Sequence, residues 1–340
     1  MRQPNRKSKA CPERSRGIEN RKSKQVLCVG DMVADIFASP LARLPDPGEL
    51  VLSDRIAIFP GGNALNTAIA LRRLGENVAV AGSIGDDALG RLLLDQMETR
   101  GLDVRGVRRE SGGRTAATFI LRLEGEDRRF IHSLGVAATF SGEHVSPELI
   151  PDNGIMLVGG YLKLGAWDDN VLADLMRHAR RRNCTVVFNI CIARDSGVDP
   201  RRCLLLLEHV DVFVPNEDEA RILTGETLPE LQAKALRQAG ARMAVITRGA
   251  NGLFADDGER SVRMGIFQVP VVDPSGCGDC FTAGLIAALL RGWETVRSLE
   301  FASAVGAIGA TALGCTDGVP SFAEVERFLE RNKVNISVNP

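Results

Sequence analysis

Short apolar runs of β type alternate with helical stretches along most of this chain, and no other feature restricts its fold as strongly. QVLCVG (25–30), VAVAGSIG (78–85), IMLVGG (155–160), TVVFNI (185–190), DVFVP (211–215) and MAVIT (243–247) are such runs. Residues 63–74 place apolar side chains at helical spacing and stop at Gly75, while Asp86 is positioned to cap a helix running to about Arg100 and closed by Gly101. Continuous apolar strands belong in a sheet buried on both faces, and strand–helix alternation assembles it from right-handed βαβ units. The expected fold class is α/β, with a central, mostly parallel sheet and helices on both faces.

Two segments depart from this rhythm. Residues 50–59, and the pair 115–123 and 128–134, alternate apolar and polar positions, as antiparallel strands with one wet face do. They predict a small β-sheet drawn from about 36–59 and 105–135, serving either as a lid over a pocket or as an extension of the main sheet's edge. Residues 1–24 carry nine Lys or Arg against two Glu and repeat NRKSK at 5–9 and 20–24. So polar a segment cannot bury enough surface to offset its ordering entropy, which predicts a disordered basic tail ahead of a domain at 25–332. Residues 333–340 are expected to be a C-terminal tail.

Composition removes several function classes. The net charge of −1 provides no global attraction for nucleic acid or anionic membrane. There is no run of about 18 apolar residues and no apolar N-terminal stretch, so neither a membrane span nor export is expected. A cytoplasmic location fits eight Cys scattered without pairing cadence. The four His lack zinc-ligand spacing. No G-x-G-x-x-G follows the first apolar run and no G-x₄-G-K-[ST] occurs, so dinucleotide and P-loop cradles are missing.

The densest chemical signal is Asp273-Pro-Ser-Gly-Cys-Gly-Asp279, between a strand-like FQVPVV (267–272) and a small-residue helix beginning near Phe281. Glycines at a helix start leave backbone N–H groups pointing outward, and the helix dipole adds to them, which makes an anion site. Asp279 would face that anion. A carboxylate opposite a phosphate repels it, unless a hydroxyl lies between them and must surrender its proton. The bland alternative is a helix cap on a permissive turn. Cys277-Gly-Asp-Cys280 also has redox spacing, but lacks a redox context. Other segments add to the phosphate reading. Pro60-Gly-Gly-Asn-Ala-Leu-Asn66 puts two glycines and two amides at a strand-to-helix junction. Asp35 can accept two hydroxyls. Asn216 and Glu219 share one helix face at a strand's carboxyl end, and Thr247, Gly249 and Gly252 form another glycine-bearing turn.

Taken in order, these segments resemble the ribokinase (PfkB-type carbohydrate kinase) family from about Gln25 to Leu329. Its D-T-x-G-A-G-D signature is matched at 273–279, with Pro274 and Cys277 in place of Thr and Ala. Gly61, Gly62 and Asn66 match its early G-G element, Asn216 and Glu219 its N-x-x-E, and Thr247, Gly249 and Gly252 its T-x-G-x-x-G. The resemblance implies a ribokinase-like fold with a β lid and ATP-dependent phosphorylation of a hydroxyl on a small sugar, a nucleoside being the alternative acceptor. It implies Asp279 as general base and the amides of Gly276, Cys277 and Gly278 as the anion hole. Asp35, Gly61, Gly62, Asn63 and Asn66 would hold the acceptor, while Asn216, Glu219, Thr247, Gly249 and Gly252 approach ATP. Asn216 and Glu219 would organise Mg²⁺ through water. Some members bind a monovalent cation behind the loop, which makes Asp273 a candidate for K⁺, and relatives often dimerise through the lid. Phe188-Asn189-Ile190-Cys191 replaces the Asp-Pro-Asn run and following Arg of many members, so substrate assignments that rest on that Arg do not carry over.

Overall fold

The computed structural model describes residues 25–126, 128–193 and 197–339. The basic tail expected at 1–24 lies outside the described residues. In chain order the strands begin with β1 (Gln25–Gly30), β2 (Val33–Ala38), β3 (Ile56–Gly61), β4 (Asn77–Gly85), β5 (Asp103–Glu110), β6 (Ala116–Leu121) and β7 (Arg129–Ser133). They continue with β8 (Ile155–Gly159), β9 (Thr185–Phe188), β10 (Val212–Phe213), β11 (Met243–Thr247), β12 (Leu253–Asp256), β13 (Ser261–Met264) and β14 (Ile336–Asn339). The helices are α1 (Asn63–Arg73), α2 (Ala88–Thr99), α3 (Asp169–Arg181), α4 (Glu217–Thr224), α5 (Pro229–Gln238), α6 (Cys277–Leu290), α7 (Thr295–Gly309) and α8 (Phe322–Arg331).

A large sheet runs in the order β14-β13-β12-β11-β10-β9-β8-β1-β4-β5. Neighbours from β11 through β5 are parallel, and β12 to β14 extend the sheet antiparallel. Because successive strand residues face opposite ways, Val26 and Cys28 of β1 enter a core shared with α1, α6 and α7, while Leu27 and Val29 enter a second core with α3 to α5. Both faces are thus covered. The small side chains of α6 let it bury nearly all of its length against α1 and α7.

The small sheet, ordered β3-β2-β6-β7, is separate from the large one rather than an extension of its edge. Its inner face sets Phe37 and Ile120 against Phe59, Leu313 and Cys315. Its outer face carries Ile58, Phe119 and Ile131 exposed to solvent, paired across the strands through Ile36.

Four local expectations are corrected. Residues 267–272 form no strand, since Pro270 withholds a ladder N–H. The cap of α2 is Asp87, whose carboxylate accepts the Gly90 N–H at 2.8 Å, whereas Asp86 pairs with Arg109. Within the segments assigned to the lid, β3 begins only at Ile56, and 103–110 belongs to the large sheet. The C-terminal tail expected at 333–340 instead contains β14, which pairs antiparallel with β13 from Ser261–Asn339 to Met264–Ile336. A four-residue strand is too short for its alternation to stand out, and its stability comes from the ladder it joins. Removing residues 336–340 is therefore expected to expose the β13 edge and lower Tm by about 2 °C or more in scanning calorimetry. An unchanged Tm would show that β14 contributes nothing.

Candidate active site

Strand ends and helix starts converge on Asp279, the third residue of α6, which is only 8% exposed. Its Oδ1 accepts an N–H from Asn63 Nδ2 at 3.1 Å, and its Oδ2 one from Asn66 Nδ2 at 2.9 Å. Asn63 and Asn66 stand one turn apart on α1 and so reach the same carboxylate. Asn63 also donates to Asn189 Oδ1 at 3.2 Å, and Asn189 is itself fixed by donating to the Val214 carbonyl at 3.1 Å. Burial pushes the Asp279 carboxyl up to about 7, against the two amide donors, which favour the charged form. Both asparagines, expected to grip an acceptor, are here the donors that hold Asp279.

The turn before α6 needs glycine at 276. Gly276 has φ 72°, and a Cβ there would lie 2.4 Å from the Cys315 carbonyl oxygen. Asp273 braces the turn from beneath. It is fully buried, with Oδ1 accepting the Ser275 N–H at 3.0 Å and hydroxyl at 2.7 Å, and Oδ2 accepting the Gly314 N–H at 3.2 Å. The first N–H groups of α6 have no carbonyl partner within the helix. The Cys277 N–H makes a long turn bond to the Pro274 carbonyl at 3.4 Å, while among the described residues the amides of Gly276 and Gly278 carry no such bond. The turn thus offers chiefly the latter two to an anion.

Asp35 lies nearby on β2, 6% exposed. A Cβ on Gly61 would come within 2.0 Å of Asp35 Oδ2, so the glycine clears room for the carboxylate. Gly62, at φ 95°, caps α1 against the Asp31 backbone. Burial pushes Asp35 up to about 6, opposed by the Thr118 hydroxyl and the Lys163 ammonium. The same ammonium pairs with Asp31, which has no side-chain exposure. Burial pulls the Lys163 pKa down, but the carboxylate outweighs it and the net shift is upward. His132, hydrogen-bonded to Thr118 at 3.0 Å, is driven down to about 4 by burial and by Lys163.

Asn216 and Glu219 form a capping box on α4. Asn216 Oδ1 accepts the Glu219 N–H at 2.8 Å, and Glu219 Oε2 accepts the Asn216 N–H at 2.9 Å. Glu219 Oε1 takes the Ile192 N–H at 3.4 Å, and burial pushes its carboxyl up to about 7. The Asn216 side-chain oxygen is thereby a cap on α4, and the Asn216 backbone N–H holds the Glu219 carboxylate. Among the described residues no cluster of three or more His, Cys, Asp and Glu encloses a metal position. A hard divalent ion beside Glu219 would therefore keep much of its water shell, as Mg²⁺ does.

Two clefts, each of about 380 Å³, meet at the glycine turn. One is polar and includes Asp279, Asn63, Asn189, Asn216, Glu219 and Arg128. The other is an apolar slot reaching Gly249, Gly252, Phe267, Gly306 and Ala310. Thr247, Pro274, Cys277 and Gly278 line both. Thr247 is bridged in parallel to Asn216, which places the two predicted turns side by side. Asp31, Lys163, Asn189 and Arg128 were not singled out as site residues from sequence. Lys163 and Asn189 did carry one signal, polar side chains just past buried parallel strands, where open α/β sheets place ligands. Arg128, in a charged hairpin, carried none.

Residues 23–321 match the pfkB family carbohydrate kinase pattern. The chain is 24% identical over 317 residues to an ATP-dependent 6-phosphofructokinase of Thermoanaerobacterium thermosaccharolyticum, covering 92% of this chain and 96% of that protein. It is 26% identical over 322 residues to a ribokinase of Haemophilus influenzae, covering 90% and 99%. The structure of Arabidopsis thaliana ribokinase complexed with ribose and ATP superposes with a TM-score of 0.75 at 23% identity, covering 91% and 99%, a likeness of fold. Among the described residues no helix is long and apolar enough to cross a membrane.

Asn66→Ala removes the shorter amide donor to Asp279 and is expected to raise that carboxyl above about 7, as followed by ¹³C-detected carboxyl titration. A value unchanged or lowered would show that the amide does not act on the charged form.

Proposed function

Because the chain belongs to the pfkB family of carbohydrate kinases, which are ATP-dependent phosphotransferases, we propose that it moves the γ-phosphoryl group of ATP onto a hydroxyl of a small sugar, with Asp279 as general base. One observation carries this reading. A buried carboxyl poised near 7 and aimed by two amides opens into the same cleft as the amides of the glycine turn.

In this reading the apolar slot takes the nucleotide base, the glycine turn takes the phosphates where the clefts join, and the acceptor lies between Asp279 and Asp35. As the acceptor oxygen forms its bond to phosphorus, the bond to the ADP oxygen breaks and ADP keeps the electron pair. The acceptor's proton passes to Asp279 Oδ, and a carboxyl near 7 suits that task far better than one at the ordinary value near 4. Developing negative charge on the phosphoryl oxygens is met by the Gly276 and Gly278 amides, already aimed and so costing no reorganisation. Mg²⁺, when bound, neutralises phosphate charge. Glu219, held by the Asn216 backbone N–H, would hold it through water, which fits a buried carboxylate that among the described residues has no cation paired with it. A sugar suits the acceptor side because Asp35 there is a carboxylate that can accept from its hydroxyls.

We further propose that the outer face of the small sheet pairs with a second copy. Ile58, Phe119 and Ile131 form an apolar row across its strands, and a two-fold axis would cover both rows at once. Light scattering on the wild type is expected to give twice the chain mass, and Phe119→Glu to give the monomer. A monomeric wild type would remove this interface.

ADP release measured against a panel of sugars and nucleosides tests the kinase reading, and no release with any of them would refute it. Asp279→Asn is expected to cut kcat by at least ~10²-fold while MgADP binding persists. Because protonated Asp279 cannot accept a proton, kcat/KM should fall as pH drops below about 7, with the deprotonated base regained above it. A flat profile between pH 5 and 8 would take Asp279 out of the role.

A further inference from the structure

Lys163 is a buried cation that the mechanism above leaves unused. It closes the turn after β8, while Asp31 follows β1. These two strands are neighbours in the large sheet, and the chain leaves β1 for β4 on one side and returns to β8 on the other. Open α/β sheets bind ligands at such a reversal of strand order, beyond the carboxyl ends of the strands. Glycine permits the close approach, because Gly160 has φ 73° and a Cβ there would lie 2.5 Å from Asp31 Oδ1. Tyr161 anchors the turn from behind, its hydroxyl donating to Asp169, which Arg202 Nε also grips at 3.0 Å. Asp31 Oδ1 accepts the Ala64 N–H at 3.3 Å, so the Asp31–Lys163 pair stands at the first turn of α1, beside Asn63.

The Lys163 side chain is 14% exposed. Its charge reaches groups on several sides of the acceptor position. It opposes the burial that raises Asp35, Asp279 and the Cys191 thiol, and it adds to the burial that lowers His132. Those groups come from β2, α6, the segment after β9, and β7. The nearby neutral donors are already committed to carboxylates. Asn63 and Asn66 donate to Asp279, and the Thr118 hydroxyl and Cys315 thiol donate to Asp35. An ammonium has three N–H donors, whereas among the described residues Asp31 is the one ion-pair partner of Lys163.

We propose that Lys163 is an acceptor-binding residue that selects an uncharged sugar, its ammonium donating to the oxygen of a hydroxyl that itself donates to Asp35. This rests on the kinase reading above and on the acceptor position given there. A hydroxyl is donor and acceptor at once, and an ionised carboxylate only accepts. Asp31, Asp35 and Asp279 alone would leave the oxygen of each sugar hydroxyl without a donor. Away from water an unmet polar atom is costly, and a charged donor makes one of the stronger hydrogen bonds. The same count opposes an acidic acceptor, since one ammonium faces three carboxylates and is already paired with one of them.

Two other roles would place a lysine here. It could neutralise Asp31 and do nothing more, or it could hold a carboxylate or phosphate of the acceptor. The experiment compares full-length wild type, Lys163→Met and the double variant Asp31→Asn/Lys163→Met. Readouts are Tm, KM for ATP, and kcat and KM with the best neutral sugar, with its monodeoxy analogues that keep the phosphorylated hydroxyl, and with the corresponding sugar acid and sugar phosphate.

Wild type is expected to prefer the parent sugar to one monodeoxy analogue by at least ~10²-fold in kcat/KM, as a site built around a hydroxyl rejects a substrate lacking it. Lys163→Met should shrink that one preference by at least ~10-fold, while preferences at the other hydroxyls and KM for ATP stay within about threefold. The double variant leaves no unpaired buried carboxylate at Asp31, so it decides if Lys163→Met melts early, and the same selective loss is expected of it. The proposal falls if the variants lose activity by equal factors on the parent sugar and every analogue, as a purely structural pair would. It also falls if wild type is indifferent to every deoxy position, or uses the sugar acid or sugar phosphate better than the neutral sugar. A wild type that releases no ADP overturns the kinase reading itself, whereas an active wild type whose hydroxyl preferences survive in the variants overturns Lys163 alone.

Discussion

A carboxylate kept out of water and held by two amide side chains is the constraint around which the rest of this structure is arranged. Burying Asp279 disfavours its charge, and only donors that arrive at the right height on a neighbouring helix make the position tolerable. Those donors, Asn63 and Asn66, are one turn apart on α1, so α1 must lie directly against the start of α6. The close approach in turn asks for the small side chains that fill α6. The chemistry and the helix packing are therefore one requirement met once.

The two glycine junctions serve that same arrangement from opposite sides. Gly61 yields the volume that Asp35 occupies, and Gly276 passes over the Cys315 carbonyl in a left-handed conformation that a Cβ would block. Segment 314–315 touches both junctions. The Gly314 N–H braces Asp273 under the glycine turn, and the Cys315 thiol donates toward Asp35 at 3.6 Å. A shift in that segment would move Asp35 and the glycine turn together. The Asp31–Lys163 pair adds a second charge constraint close to Asp35, since a buried carboxylate and ammonium are stable only opposite one another.

Much of this was legible in the chain. The apolar runs at 25–30, 78–85, 155–160 and 243–247 became strands of the parallel sheet because a run too long and too apolar to have a wet side must be covered on both. The glycines at 61, 62, 276 and 278 and the acid at 279 were visible because few chemistries want glycines beside a carboxylate at a helix start. Less legible were features whose energy comes from a distant partner. Strand β14 exists because β13 offers it a ladder, and residues 267–272 fail as a strand because Pro270 interrupts one.

The sequence by itself determined the layered α/β plan, the position of the glycine turn before α6 and the identity of the acid beside it, since periodicity, glycine freedom and helix-end polarity are local properties. Only the tertiary structure decided that Asn63 and Asn66 donate to Asp279, that Lys163 pairs with Asp31, and that Arg128 stands at the cleft. Each of those assignments depends on which side chains approach across more than a hundred residues of chain or between two sheets, and short-range patterning carries no record of such distances.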